Sequence, residues 1–311
     1  MNISVEQGDI TRFQADLIIV NLFAGVEKPA GATGAVDRAL GGRIGELIAL
    51  GDCKGDLGAT TLLYSHGALP APRVLVVGLG EREAFGLPAV REASARAIAA
   101  AGKAGARTVA TIVHGGGAGG LDLADAAQAV VEAAILESYT MPRQSSREEN
   151  GRQVESLSVV EFAAENLPAV ESGARAGRIV AESVNLARDL VAHPANIATP
   201  TMIAERAREM AGAVGLDCTI LEREEMEALG MGILLAVARG SDEPPKFLIL
   251  EHNKERADEL DTVVLVGKGV TFDTGGYTLK IANRGKLWQM KADMTGAADV
   301  IGTLRAAALL E

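Results

Sequence analysis

Short, β-branched apolar runs alternate with helical stretches along this 311-residue chain, and that alternation limits the folds open to it. The predicted strands of the first half lie at residues 2–6, 17–21, 60–64, 74–77, 108–112 and 159–163. The predicted helices lie at residues 34–49, 87–101 and 123–138. Strands that alternate with helices indicate a largely parallel sheet covered on both faces. We therefore expect an α/β domain over residues 1–165, with an exposed polar loop at 142–153.

A second α/β pattern follows the first. Apolar residues recur at helical spacing over 170–191, and His193-Pro194 ends that helix because the residue before a proline is pushed out of helical geometry. Thr199-Pro200 starts another helix, with threonine as N-cap and proline at the first helical position. Further strands are predicted at 218–221, 247–251 and 262–266, and further helices at 222–229 and 297–310. The pattern predicts a linker helix over 166–195 and a second α/β domain over 196–311.

Composition and charge exclude several classes of function. The net charge of −11 and the pI near 5.0 argue against a nucleic-acid-binding surface, and no lysine/arginine run is long enough to form a local one. The first residues lack the basic and apolar regions of a signal peptide, and no stretch is long and apolar enough for a membrane span. Cys53 and Cys218 lie far apart without metal-type spacing, so we expect two small core residues. These features predict a reduced, cytoplasmic protein.

Glycine-rich segments raise a nucleotide-binding hypothesis for the first domain. Residues 74–80 begin like a dinucleotide fingerprint, but Glu83 stands where its third glycine belongs. The run at 115–120 follows a strand and could wrap a phosphate, although glycine-rich loops are commoner than phosphate sites. Residues 7–11 and 15–21 resemble the start of macrodomains, which bind ADP-ribose. Residues 22–25 replace the asparagine-containing loop of macrodomains, so the resemblance implies a shared fold without the shared ligand.

The four histidines are widely spread, with no pair three or four residues apart. A histidine-based zinc site or a Ser/His/Asp triad is therefore poorly supported. A metal ion in this chain would have to be held by carboxylates and a less usual ligand.

The segment 268–294 concentrates charge directly after the apolar run 262–266. That run is short, β-branched and continuous, as expected of a strand buried on both faces. Lys268 follows it, and Asp273, Lys280 and Asp293 come next. Without this context, two aspartates would most often be a helix cap and a solvent-exposed charge. Two lysines would most often belong to a solvent-exposed face. At the carboxyl end of a buried strand, where open α/β sheets place their active sites, the same residues predict a site.

The segment also resembles the catalytic domain of the leucyl aminopeptidase family, two-metal enzymes that remove N-terminal residues from peptides. The resemblance is carried by Val-Gly-Lys-Gly-Val-Thr-Phe-Asp-Thr-Gly-Gly at 266–276, by Lys280, and by Met-Lys-Ala-Asp-Met at 290–294. It extends to residues 185–190, 199–200, 229–232 and 77–80, hence over nearly the whole chain. It implies a macrodomain-like N-terminal α/β domain, a linker helix and an α/β aminopeptidase catalytic domain.

The resemblance assigns a role to each charged residue of the segment. Asp273 would bridge two divalent metal ions, zinc or manganese in the complete family site, and Lys268 and Asp293 would complete part of the tighter site. An amine ligand must be neutral, so the metal would have to depress the pKa of Lys268 strongly. Lys280 would be the catalytic lysine, kept protonated to stabilise the oxyanion of the tetrahedral intermediate. Met290 would line the pocket for a leucine-like first side chain.

The sequence also departs from the family pattern. The family carries a later Asn-Thr-Asp-Ala-Glu-Gly-Arg segment that completes both metal sites, and nothing like it occurs up to Glu311. We therefore expect a fragment, a truncation product or one piece of a split enzyme. Such a chain supplies only part of the ligands and is inactive or weakly active alone. Ile281 stands where the family usually has proline, and Thr295 where it usually has glycine. The family resemblance further implies a homo-hexamer, which a shortened catalytic domain would not necessarily form.

Three hypotheses from different classes of function remain open at this stage. The first is a metal-dependent aminopeptidase that acts on peptide substrates and lacks the rest of its active site in this chain. The second is a non-catalytic or truncated relative that folds and binds a partner without hydrolysis. The third is a macrodomain-like module in which residues 1–165 bind a nucleotide-derived ligand such as ADP-ribose.

Overall fold

The computed structural model describes residues 1–117, 119–142 and 153–311, and these residues divide into two compact units. The first unit holds Met1–Tyr139 and continues to Glu182, and the second holds Ser183–Glu311. The predicted division into 1–165, 166–195 and 196–311 stays a prediction.

The first unit is built on a six-stranded sheet of order β1-β6-β5-β2-β4-β3. Its strands are β1 (Asn2–Gln7), β2 (Leu17–Leu22), β3 (Thr60–Tyr64), β4 (Arg73–Gly78), β5 (Thr108–Thr111) and β6 (Ser156–Glu161). Its helices are α1 (Gly31–Ala39), α2 (Arg43–Leu50), α3 (Leu87–Lys103), α4 (Leu123–Glu137) and the start of α5 (Leu167–Ala192). Neighbouring strands pair in parallel except β3, which is antiparallel to β4. The predicted α/β class is confirmed.

Strand β2 shows why the sheet carries helices on both faces. Leu17, Ile18, Ile19 and Val20 are each at most 1% exposed, as expected for a central strand with no solvent-facing side. Alternate side chains belong to two cores. Ile18 and Val20 pack in the core that contains residues of α1 and α2, whereas Leu17 and Ile19 pack in the core that contains residues of α3.

Two predicted boundaries in this unit were wrong. The helix expected at 34–49 is two helices, because Gly41 and Gly42 adopt φ of 67° and 86°, a left-handed geometry that ends one helix before the next begins. The strand expected at 159–163 is β6, Ser156–Glu161, which begins earlier and ends earlier. Its register is set by parallel pairing with both β1 and β5, and the chain leaves the sheet at Phe162. Most of the predicted loop at 142–153 lies outside the described residues.

The second unit contains a two-stranded antiparallel sheet and several helices. Its elements are the end of α5, α6 (Pro200–Val214), β7 (Asp217–Leu221), α7 (Arg223–Ala228), α8 (Gly232–Ala238), β8 (Phe247–Glu251) and α9 (Thr295–Leu310). Met294, Ala298 and Ile301 are buried in its core against residues of α5 and α6. Cys53 in the first unit is buried as predicted, Cys218 on β7 is partly buried, and both are free thiols.

The predicted strand at 262–266 was wrong. None of these residues joins a ladder with any described strand, and Val263, Val264 and Val266 are 81%, 75% and 89% exposed. A continuous β-branched run is buried only when neighbouring strands and covering helices are present. The sheet formed by β7 and β8 does not extend to this run, so its side chains stay in solvent.

Among the described residues, no helix is both long enough and apolar enough to cross a membrane.

Candidate metal and catalytic site

The backbone of the second unit brings Lys268 to the start of α9. Ala297 N–H donates to Lys268 O over 3.0 Å. A side chain on Gly267 would meet Gly296 O at 2.4 Å, so only glycine permits this close approach. Asp293 lies two residues before the first residue of α9, so the contact that anchors Lys268 also sets it beside Asp293.

Lys268 and Asp293 form an ion pair. Lys268 Nζ lies 2.9 Å from Asp293 Oδ1 and 2.7 Å from Oδ2. The lysine side chain is 61% exposed, whereas the aspartate is 22% exposed. The hydrogen bond to Asp293 raises the pKa of Lys268 above its usual value, with further help from the charges of Asp293 and Asp273. In this geometry Lys268 is an ammonium ion.

Asp273 and Lys280 form a second pair. Lys280 Nζ donates to Asp273 Oδ2 over 2.9 Å, and the Gly275 amide donates to Asp273 Oδ1 over 2.7 Å. The hydrogen bond from Lys280, followed by that from Gly275, lowers the pKa of Asp273 below its usual value. Gly275 has φ of 92°, and Lys280 N–H donates to Thr274 O over 3.0 Å, so a tight turn returns Lys280 to the aspartate.

Met290 joins the second pair. It lies in the 3₁₀ segment Ile281–Ala292, and its Sδ is 3.2 Å from Lys280 Nζ. Lys268 also acts on Asp273 through its charge. The five residues singled out from the sequence are therefore linked in two groups, Lys268 with Asp293, and Asp273 with Lys280 and Met290.

A neighbouring lysine that the sequence analysis did not single out supports this segment. Lys291 Nζ donates to Ala192 O over 2.5 Å, at the last residue of α5. A cation is favoured at a helix C-terminus, where the backbone carbonyls lack partners. The feature of the sequence that could have identified Lys291 is its position between Met290 and Asp293. Thr295, one of the departures from the family pattern, bonds through its hydroxyl to Ala292 O over 2.6 Å.

The donor atoms of the site are of types that bind divalent metal ions, but they are too few to complete a metal site. Asp273 and Asp293 provide carboxylate oxygens, which manganese and zinc accept, and Lys268 provides an amine that would first have to lose its proton. The described residues contain no group of three or more histidine, cysteine, aspartate or glutamate side chains that could hold a metal ion. Because each aspartate is paired with a lysine, the like-charge repulsion expected of a metal-free site is offset.

Comparison with known proteins identifies the family. The model of the cytosol aminopeptidase family catalytic domain matches residues 185–311, and the model of its N-terminal domain matches residues 19–147. The chain belongs to the cytosol aminopeptidase family. The catalytic-domain match includes all five residues of the candidate site.

Full-length relatives support the same family. A probable cytosol aminopeptidase of Geotalea uraniireducens is 40% identical over 277 residues, which cover 89% of this chain and 55% of the relative. One of Methylobacillus flagellatus is 36% identical over 312 residues, covering 100% of this chain and 62% of the relative. The chain thus spans little more than half the length of these relatives.

Solved structures show the same architecture. The bottromycin maturation enzyme BotP in complex with Mn has a TM-score of 0.72 and 33% identity, and the match covers 94% of this chain and 56% of BotP. A mutant of tomato leucine aminopeptidase has a TM-score of 0.77 and 26% identity, and the match covers 99% of this chain and 59% of that protein.

Proposed function

We propose that this chain provides the first part of a metal-dependent aminopeptidase that releases leucine-like N-terminal residues from peptides. The observation that carries the proposal is the pairing of Lys268 with Asp293 and of Lys280 with Asp273 in the domain matched by the aminopeptidase catalytic model. The names of the relatives support the reaction, and the BotP complex supports manganese as one usable metal.

In this proposal Asp273, Asp293 and Lys268 hold part of a two-metal site for zinc or manganese. When bound, such ions polarise the scissile carbonyl and make a hydroxide available near neutral pH. Asp273 would bridge the two positions, and Lys268 would bind as the neutral amine. In the metal-free site Asp293 accepts a hydrogen bond from Lys268, and Asp273 accepts one from Lys280. These hydrogen bonds would have to break before the carboxylates and the Lys268 amine could bind a metal ion.

Lys280 is the proposed catalytic residue. Its side chain is 35% exposed and is held by Asp273 Oδ2 and Met290 Sδ. An ammonium in this position can donate to the oxygen of a carbonyl that gains negative charge under attack. Met290 lies beside it and offers an apolar, adaptable surface to the first side chain of the peptide. Together they favour a leucine-like residue at the reacting end.

The three proposed ligands are too few for tight binding, so we expect this chain to bind Mn²⁺ weakly. Titration of the full chain, with free Mn²⁺ followed by electron paramagnetic resonance, measures affinity and stoichiometry. Asp273→Asn is expected to weaken binding at least about tenfold, because it removes the proposed bridging carboxylate. Asp242→Asn is the matched control, since Asp242 is exposed and lies outside the proposed site.

Two results would contradict this assignment. One is equal Mn²⁺ affinity in Asp273→Asn and in the unsubstituted chain. The other is retention of two metal ions per chain after dialysis. Release of 4-nitroaniline from leucine 4-nitroanilide tests catalysis. Weak, Mn²⁺-dependent release that Lys280→Gln abolishes supports the peptidase, and release that Lys280→Gln leaves unchanged would contradict the role of Lys280.

The family resemblance also motivates proposals about assembly and location. We propose a homo-hexamer for the complete family protein and a cytoplasmic location. Sedimentation velocity of this chain tests the assembly, and a monomer at micromolar concentration would show that these residues alone do not form it. With a net charge of −11, nucleic acid is not among the proposed partners.

A further inference from the structure

We propose that strand β3 is a self-association site at which a second copy of this chain extends the six-stranded sheet. Strand β3 lies at one edge of the sheet, and in the described part of the chain it pairs only with β4. An edge strand presents unpaired N–H and C=O groups, with which another strand can pair. The inference does not rest on the proposed peptidase activity, because β3 and the residues of the metal site belong to different units.

The hydrogen bonds around β3 show which of its backbone groups point outward. Directly after the strand, Ser65 N–H donates to Pro72 O over 3.0 Å. In an antiparallel ladder, every second residue points its N–H and C=O groups at the same neighbouring strand. Counting back from Ser65, the residues between point these groups away from β4. The residues with outward backbone groups are Thr60, Leu62 and Tyr64.

The side chains of the same three residues share one face of the sheet. Thr60 lies opposite Val77 and Leu62 opposite Leu75 on β4. Val77 and Leu75 pack in the core that contains residues of α3, so the face is the one that α3 covers over β4. At the edge this face is open, because Leu62 is 38% and Tyr64 60% exposed. A second strand placed beside β3 would cover both apolar side chains.

The distribution of charge favours a second copy of the chain as the partner. The chain has a net charge of −11, so two copies repel each other over most of their surfaces. Residues 57–72, which contain β3, include no aspartate, glutamate, lysine or arginine. The opposite edge strand, β1, carries Glu6, and a charge on an edge discourages pairing. Strand β3 is thus the edge at which two copies can meet without like charges opposite each other.

The outward groups of β3 define one symmetric register. Antiparallel pairing about a two-fold axis at Leu62 places Leu62 opposite Leu62 of the partner subunit. The same pairing places Tyr64 opposite the partner subunit's Thr60. Each of these residue pairs exchanges both of its backbone hydrogen bonds, because all three residues point outward. A self-complementary strand of this kind forms a closed dimer.

A β-bulge ends the pairing surface on one side and places a cation there. Gly58 N–H donates to Gly78 O over 3.0 Å, and Gly78 N–H donates to Ala59 O over 2.8 Å. Gly58 has φ of 73°, the left-handed geometry of the first residue in such a bulge. A side chain on Gly58 would lie 3.0 Å from Arg96 Cγ on α3. Tyr64 of the partner subunit comes to this end of the strand, where Arg96 can contact its ring.

The small size of the contact predicts a weak dimer. Strand β3 has five residues, and stable interfaces bury about 1,200–2,000 Å², more than one short strand pair covers. We therefore expect the dimer to be populated at about 100 μM and to dissociate below about 1 μM.

Disulfide trapping of the full chain with diamide tests the register. Leu62→Cys places two thiols at the axis with Cα atoms about 5.5 Å apart, inside the disulfide range of about 4.4–6.8 Å. Tyr64→Cys is the matched control on the same face, because its two copies lie about 14 Å apart. At about 100 μM, Leu62→Cys is expected to form a covalent dimer at least about fivefold faster than Tyr64→Cys. Both variants retain the two native cysteines, which therefore contribute equally.

Charged substitutions test the pairing of position 60 with position 64. Thr60→Lys with Tyr64→Lys places like charges opposite each other, which is expected to raise the dimer Kd at least about tenfold. Thr60→Glu with Tyr64→Lys places opposite charges there, and its Kd is expected to be at least about fivefold lower than that of the dilysine variant. Within one copy the two positions are too far apart along the strand to interact.

Sedimentation equilibrium measures these Kd values. All proteins in that series carry Val264→Lys and Val266→Lys, because both valines are exposed in the second unit and could cause association of their own. Circular dichroism checks that each variant is folded.

Three outcomes would overturn the proposal. One is equal trapping of Leu62→Cys and Tyr64→Cys, and another is an unchanged Kd in the dilysine variant. The third is a monomer at about 100 μM with the β3 sequence unchanged, which would leave a strand of a different protein as the occupant of this edge. If Leu62→Cys does not fold, the charged variants test the same register independently.

Discussion

His114 is a buried titratable group three residues beyond β5. Its side chain is 1% exposed, and Nδ1 lies 2.9 Å from Asn21 Nδ2, so a neutral imidazole can accept from the amide. Burial lowers the pKa of His114 from 6.5 to about 4. Between these pH values the unfolded chain binds a proton that the folded unit excludes. The stabilisation is therefore present above pH 6.5 and is lost as the pH falls towards 4.

We expect His114 to reduce the free energy of unfolding of the first unit by about 2 kcal/mol between pH 7 and pH 5. Amide hydrogen exchange of β2 and β5, corrected for the intrinsic effect of pH on exchange, measures this change. His114→Gln should lack that part of the pH dependence, because glutamine does not titrate. His66→Gln, at an exposed position in the same unit, should retain it. An identical pH dependence in His114→Gln and the unsubstituted chain would contradict this assignment.

Lys268 shows how much of a residue's chemistry sequence reasoning can reach. An ammonium close to a folded core must find a partner or lose its proton, and in the structure it finds Asp293 at 2.7 Å. The partner itself was not predictable from spacing, since Asp273 is nearer in sequence. The hydrogen bond from Ala297 N–H to Lys268 O sets Lys268 beside Asp293, and the close approach of the two segments requires glycine at 267.

Helix α6 is an element whose start is explained by local chemistry. Thr199 Oγ1 accepts the amide of Met202 over 3.2 Å, and Pro200 occupies the first helical position. We expect Thr199→Ala to lower the free energy of unfolding of the second unit by about 1 kcal/mol, because the amide loses its acceptor. Urea unfolding followed by the fluorescence of Trp288, the single tryptophan, measures the change.

Thr303→Ala is the matched control for the cap. Its hydroxyl bonds to Asp299 O inside α9, where the backbone ladder already satisfies that carbonyl, so the expected change is below about 0.5 kcal/mol. A loss in Thr303→Ala as large as that in Thr199→Ala would show that the cap is not the cause.

Elements with local signals were predictable from the sequence, and elements that depend on distant partners were not. The cap at Thr199 and the buried run of β2 specify their structure within a few residues. By contrast, β6 begins at Ser156 because β1 and β5 lie on both sides of it, which no local pattern records. The run 262–266 has every local property of a buried strand and lacks paired neighbours among the described residues. The charged cluster at 268–294 could be singled out because its residues lie within 27 positions in sequence, but their roles come from the family resemblance and stay a prediction.

On the scale of the whole molecule, the main anomaly is the apolar surface of the second unit. Val263, Val264 and Val266 are exposed in a row, and Tyr277 and Trp288 are also exposed in the same unit. Soluble proteins seldom leave large contiguous apolar patches in water, and an apolar segment with unpaired backbone can pair with another chain. This surface lies in the same stretch of chain as the site, so its behaviour affects any measurement of metal binding.

We expect this run to bind a hydrophobic dye and to promote self-association of the chain. A double variant, Val264→Lys with Val266→Lys, should lower the fluorescence of bound anilinonaphthalene sulfonate and shift sedimentation velocity towards the monomer, because charges on an edge prevent strand pairing. Val237→Lys is the control, since Val237 on α8 is 67% exposed and lies outside the run. If Val237→Lys lowers dye binding as much as the double variant does, general surface charge is responsible. If neither changes it, the run 262–266 is covered in solution.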